Sequence, residues 1–131
     1  MTPLEVVQHG YAAFGRGDLP ALLSLLADDV EWRLTADAQT PYGGKHLGKA
    51  AVQRWFQVLA ESDEIQQFEP REFLEGSSHV TVLGWERSRP LPNGVPFESE
   101  WVHVFTVADG KITRFVGTLD TAARAAALRD R

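Results

Sequence analysis

The sequence contains no cysteine. That absence removes disulfides, thiolate metal sites and cysteine nucleophiles from consideration. It also has no concentrated basic face: 13 lysines and arginines stand against 18 aspartates and glutamates, a formal net charge of -5. Phosphate binding needs clustered positive charge, so no nucleic acid partner is expected. The one local basic enrichment, at Arg124, Arg129 and Arg131, is accompanied by acid and reads as a solvated helix end. No apolar run approaches the length of a membrane span, and the opening MTPLEVVQHG lacks the basic-then-apolar form of a signal peptide. No membrane partner is expected, and a soluble, cytoplasmic protein is the default reading. Dinucleotide fingerprints and nucleophile elbows are missing, and Gly43-Gly44 lacks the wider pattern of a phosphate-cradling loop. No pair of histidines has a recognised ligand spacing, so neither a metal nor a cofactor is expected.

What is present is one domain, residues 1–131, with enough apolar side chain (44% of residues) to bury a core. Thr2-Pro3-Leu4-Glu5 has the form of a capping box with proline at the first helical position. Leu4, Val7, Tyr11 and Phe14 then form one apolar stripe. Gly15 and Gly17 end that helix, Asp18 caps a short second one through LPALLSLLA, and Asp28 and Asp29 close it. VEWRLT alternates as a half-buried strand. The loop ADAQTPYGGKHLG leads to a third helix that starts at Gly48, with Val52, Trp55, Phe56 and Leu59 on one face. From Glu64 the chain is strand-like: EIQQFEPREFLEG, whose Pro70 suggests an edge position or a bulge, then HVTVLGWERSR and FESEWVHVFTV. Asp109-Gly110 makes a two-residue hairpin into KITRFVGTLD, and TAARAAALRDR is helical by propensity. Three helices with a strand between the second and third, followed by four antiparallel strands, predict an α+β fold with a curved sheet wrapped around the helices.

The segments AAFGRGDLPALLSLLADDVEW, GGKHLGKAAVQRWF and WVHVFTVADGKITRF, with the following Leu119-Asp120, together resemble the SnoaL-like and ketosteroid isomerase-like group. Those proteins share the cone-shaped nuclear transport factor 2-like fold, and the likeness spans nearly the whole chain. It implies a blind, mostly apolar pocket between helices and sheet, often in a homodimer. It implies no single reaction, since isomerases, cyclases, epoxide hydrolases, dehydratases and non-catalytic binders share the fold.

One strand draws attention. Trp101, His103, Phe105 and Val107 share one face, and Val102, Val104 and Thr106 the other. A sheet with one wet face alternates apolar with polar, and this strand does not, so both faces want cover. One is expected to line a pocket and the other to form a homodimer interface. Counting from the hairpin pairs Ala108 with Lys111, His103 with Val116, Trp101 with Thr118 and Ser99 with Asp120. Arg114, Val116, Thr118 and Asp120 then share the His103 face. Asp120 lies four positions along, about 13 Å, too far for a direct bond to His103 without a bulge or strong curvature. Where the turn before this strand sets the pairing sum odd, Trp85 falls outside; where even, it joins His103.

His103 reads either as a core histidine satisfied by a carbonyl or water, or as the working group of a site. The resemblance places it where ketosteroid isomerases carry the acid that binds the developing oxyanion. Their general-base aspartate matches Leu34 and their oxyanion tyrosine matches Gly10, departures that argue against steroid isomerisation. Tyr11 points about 100° away from Gly10 and is no simple substitute. Polyketide cyclases of the group use a pocket aspartate, for which Asp120 is the candidate, although Asp120 also sits where a helix N-cap belongs. Epoxide hydrolases of the fold need an aspartate–arginine–aspartate set, of which Arg114 and Asp120 offer two members. Trp32, Tyr42, Trp55, Phe56, Trp101, Phe105 and Arg114 are the expected lining, with core packing the default for Trp55. Tyr42 and His46 are expected to border the cavity entrance. The leading expectation is an isomerase or cyclase acting on a cyclic or aromatic, hydrophobic small molecule, with His103 and Asp120 as its polar groups. A ligand-binding or dimerising module without catalysis is the alternative, and an epoxide hydrolase the third.

Overall fold

The computed structural model describes residues 1–129; Arg131, counted above in the basic helix end, lies outside them. Helix α1 spans Pro3–Gly15 and starts on the expected capping box: the Glu5 amide donates to Thr2 Oγ1 (3.1 Å) while the Thr2 amide donates to Glu5 Oε1 (2.9 Å). These bonds satisfy two amide donors that the first turn would otherwise leave open. Asp18 caps α2, Leu19–Ser24, by accepting from the Ala21 amide at 3.1 Å. That helix is shorter than LPALLSLLA, because strand β1, Leu26–Thr35, already begins at its end. Strand β2, Gly44–Leu47, lies inside the segment read as a loop. Helix α3, Lys49–Ser62, follows, then β3 (Asp63–Glu75), β4 (His79–Pro90), β5 (Phe97–Ala108), β6 (Lys111–Leu119) and helix α4 (Thr121–Arg129).

The strands form one curved, unclosed sheet in the order β2-β1-β6-β5-β4-β3. It is mixed rather than wholly antiparallel: β1 runs parallel to β6, pairing Trp32 with Phe115 and Leu34 with Gly117. The crossover between them contains α3 and the antiparallel strands, which gives the length a parallel connection requires. Pro70 meets both expectations, since β3 is an edge strand and its pairing shifts between Pro70 and Glu72. The helices lie on the concave face. Val6, Val7, Val52, Val80, Val82 and Ile112 are fully buried between the layers. Each such side chain contributes roughly 1.5–3 kcal/mol of apolar burial.

The hairpin forms as expected, with Asp109 and Gly110 both at positive φ (52° and 75°), as a type I′ turn demands. Ala108 faces Lys111 and Val107 faces Ile112, but the next pair is Thr106 with Arg114. Thr113 is an extra residue, a β-bulge, and every later pair is displaced by one from the simple count. His103 therefore faces Gly117, and Trp101 faces Leu119. The inner face of β6 is Phe115, Gly117 and Leu119, while Arg114 turns outward.

Candidate functional site

Between the concave sheet face and helices α1–α3 lies a cavity of about 90 Å³. A single water needs roughly 10–15 Å³, so the space accepts more than isolated solvent. Its wall is almost wholly apolar and aromatic: Phe14, Trp32, Trp55, Phe56, Phe68, Trp101, Phe105 and Phe115 all reach it. Two glycines make this packing possible. A Cβ at Gly84 would stand 2.2 Å from Trp101 Cζ2, so the indole lies across bare backbone. A Cβ at Gly117 would meet Phe115 at 2.7 Å and His103 Cδ2 at 3.0 Å.

His103 projects from β5 into this wall, with Trp101 stacked on it (centroids 4.0 Å apart) and Phe115 edge-on at 4.8 Å. The residue is half-buried and lines the cavity, and burial lowers the imidazole pKa to about 3. The ring is neutral at physiological pH. Its Nδ1 lies 2.7 Å from the hydroxyl of Tyr11, whose own pKa burial pushes upward. With the phenol donating to Nδ1, Nε2 carries the proton and is a donor; in the other tautomer Nδ1–H donates to the phenol oxygen and frees the hydroxyl to donate elsewhere. Either way, one donor of the pair has no protein partner among the described residues.

The structure brings the Tyr11 hydroxyl to His103, a contact the helical step alone does not reveal. The 100° step does separate it from Gly10, but a Cβ at Gly10 would approach Leu25, on the α2 side. The direction left to Tyr11 is the one that leads to β5.

A second polar cluster lies behind the wall. Asp63, the first residue of β3, and Arg124, on α4, are both buried and paired, with Arg124 Nη2 donating to Asp63 Oδ1 at 2.7 Å and Nε reaching both carboxylate oxygens at 3.1 and 3.2 Å. The Tyr42 hydroxyl donates to Asp63 Oδ2 at 2.5 Å, and Arg124 Nη1 donates to the Gln39 carbonyl at 3.3 Å. Trp55 Nε1 donates to the Tyr42 carbonyl at 2.6 Å, tying α3 to the same loop. Arg124, read as part of a solvated helix end, is thus a buried tether for α4. The signal missed was that an arginine amid alanines shares their buried helix face.

Glu86, on the inner face of β4, also lines the cavity. Ser88 Oγ donates to its Oε2 at 2.6 Å, and no cation pairs with it among the described residues. Burial pushes its carboxyl above the usual carboxylate range, the Asp63 charge adds to the rise, and the Ser88 bond opposes it.

Of the expected lining, Trp32, Tyr42, Trp55, Phe56, Trp101 and Phe105 reach the cavity together with His103. Arg114 does not: it is exposed on the outer face, 2.9 Å from Glu31, because the Thr113 bulge reverses its side. Asp120 is also exposed; its Oδ1 accepts from the Ala123 amide at 2.9 Å and so caps α4. Arg114 and Asp120 do not meet in the cavity, as an epoxide hydrolase would require. Trp85 pairs with Glu100, an odd sum, and lies on the outer face with Arg71 over its ring. His46 sits on β2, 3.3 Å from the Gly43 carbonyl, and is not part of the cavity wall. Tyr11, Phe14, Phe68 and Glu86 line the cavity without having been singled out in the sequence for it.

The model of the SnoaL-like domain family matches residues 7–115. This chain belongs to the SnoaL-like family. No curated protein sequence matches it. Among solved structures, this SnoaL-like chain is similar to an NTF2-like protein from Burkholderia xenovorans, at 35% identity over 95% of this chain and 94% of that one, TM-score 0.85. It is similar to an NTF2-like protein of unknown function from Burkholderia pseudomallei, at 31% identity over 95% of both chains, TM-score 0.86. It also resembles TerC, crystallised with polyporic acid, at 28% identity over 97% of this chain and 98% of that one, TM-score 0.87. The likeness of fold therefore covers more of the chain than the segment that the family model matches. No described helix is long and apolar enough to cross a membrane.

Proposed function

We propose that this SnoaL-like protein is a small-molecule enzyme doing cofactor-independent acid–base chemistry on a cyclic or aromatic ligand. The reaction class is isomerisation or cyclisation through an enol-like intermediate. One observation carries the reading: the Tyr11 hydroxyl and His103 imidazole, 2.7 Å apart, keep an unpartnered donor at the wall of an apolar cavity. Both groups are neutral, and a neutral donor in a low-dielectric site stabilises a carbonyl oxygen more as negative charge develops on it. His103 is the polar group nearest that oxygen, and Tyr11 orients it or donates directly. The aromatic walls hold a flat ring by stacking. The TerC complex makes polyporic acid a rational first probe for binding by titration calorimetry.

Turnover is tested on a substrate found by screening cyclic ketones and polyhydroxylated aromatics. Removing one such donor costs roughly 10²–10³-fold in rate, so Tyr11→Phe and His103→Ala are each expected to fall by that factor. Full turnover by His103→Ala removes the role assigned to it. The alternative is a ligand-binding module without catalysis, favoured by Gly10 and Leu34 standing where the isomerases keep reactive groups. Binding without turnover across the screen, with Tyr11→Phe changing affinity alone, selects it.

We also propose a homodimer joined through the outer face of β5, where Val102 is 38% exposed beside Val104. Sedimentation at micromolar concentration is expected to give twice the mass of the chain, and a monomer refutes the dimer.

A further inference from the structure

Glu86 is a buried carboxyl that the reading above leaves without a task. Burying a carboxyl is costly unless a cation or several hydrogen bonds compensate it. Here Ser88 supplies one bond to Oε2. The nearby guanidinium of Arg124 is already engaged by Asp63 and the Gln39 carbonyl. Arg87 and Arg89 lie on the outer face, bonded to Gln66 and Glu64. Glu86 Oε1 has no protein partner among the described residues, and it is not among the sealed-off buried polar atoms that lack one there, which are the indole nitrogens of Trp32 and Trp101. Its open side is the cavity that the residue lines. Its immediate inward neighbours on β4 are Gly84 and the buried Ser88.

The position matters as much as the chemistry. Glu86 pairs with Ser99, and Val82 pairs with His103, so the two polar residues stand four strand positions apart on one inner face. That is about 13 Å of backbone. Both side chains point to the concave side, where curvature brings their heads closer than their backbones. Between them the indole of Trp101 lies flat over Gly84. The aromatic wall of the cavity thus carries two separate hydrogen-bonding groups, His103 and Glu86, with Trp101 between them on the sheet.

We propose that Glu86 binds the far oxygen of the ligand, and that the cavity selects flat aromatic or quinonoid molecules bearing an oxygen function at both ends. The proposal rests on the reading of this cavity as the ligand site. The Tyr11–His103 pair meets the near oxygen, the aromatic wall packs against the ring system, and Glu86 meets the opposite hydroxyl or carbonyl.

The test compares matched probes by titration calorimetry: para-phenylphenol against para,para′-biphenol, and the shorter β-naphthol against its 2,6-diol so that ligand length does not hide the effect. A hydrogen bond to a buried carboxyl makes the doubly hydroxylated member of at least one pair bind about tenfold more tightly. In Glu86→Leu that ratio is expected to fall to one while the singly hydroxylated probe keeps its affinity. Glu86→Gln, which retains a hydrogen-bonding head and the Ser88 contact, is expected to keep a ratio above one and secures the comparison if the leucine variant does not fold. Equal binding of both members of both pairs to the unmodified protein overturns the role of Glu86 and leaves the ligand site standing. A ratio that survives in folded Glu86→Leu does the same. No binding of any probe overturns both readings.

Discussion

Two polar clusters in the interior of this molecule differ in one respect. In the Asp63–Arg124–Tyr42 cluster the carboxylate oxygens and the guanidinium are mutually bonded. In the Tyr11–His103 pair one short bond is made and a donor remains, facing a cavity. The first cluster carries formal charge and holds α4 to the start of β3; the second is neutral and joins α1 to β5. Spare hydrogen-bonding capacity on a cavity wall, rather than polarity or burial alone, separates the candidate site from a structural tether.

The comparison breaks first at Arg124. Arg124→Met strands the Asp63 carboxylate, and losing one partner of a buried pair costs about 3–5 kcal/mol, to be read from urea denaturation. A change below about 1 kcal/mol would mean that the pair is hydrated and not a tether.

Two tyrosine hydroxyls provide the next contrast. Tyr42→Phe removes a bond to a charged group and is expected to cost about 1.5–3 kcal/mol of stability. Tyr11→Phe removes a bond between neutral groups beside a cavity and is expected to cost no more than about 1 kcal/mol, while affecting ligand chemistry. Equal losses in the two variants would erase the distinction between tether and site.

The smaller test is of pH. Folded His103 has a pKa near 3, against about 6.5 in the unfolded chain. The unfolded state therefore binds the extra proton between those values, and stability falls as the pH falls through that window. Between pH 7 and pH 5 the loss attributable to His103 is about 2 kcal/mol. Glu86 pulls the other way, its raised carboxyl adding stability that is lost as pH rises through its folded value. The difference between the unmodified protein and His103→Gln isolates the histidine; identical pH profiles would show that its ring is not desolvated.

The fold was legible wherever a local signal was strong. The capping box at Thr2, the Asp18 cap, the α3 stripe and the Asp109-Gly110 hairpin each depend on residues within a few positions of one another. What could not be read were features without a local mark. The bulge at Thr113 has no glycine or proline to announce it, and it alone moved Arg114 from the expected pocket face to the surface. The parallel pairing of β1 with β6 joins segments some 80 residues apart in sequence. Arg124 and Asp63 are separated by 61 positions, and nothing near either names the other. His103 was legible because an imidazole interrupts an apolar face. Tyr11 was not, because its partner could be known only once the rotation of α1 against β5 was set.

Thr113 has one more consequence. Side chains alternate along a strand, so deleting this single residue while the hairpin held would turn β6 over. Phe115 and Leu119 would turn away from the cavity, and Arg114 and Val116 would turn toward it. One codon thus stands between an aromatic lining and a cationic one, a route by which a scaffold of this kind can acquire new ligands without rebuilding its frame.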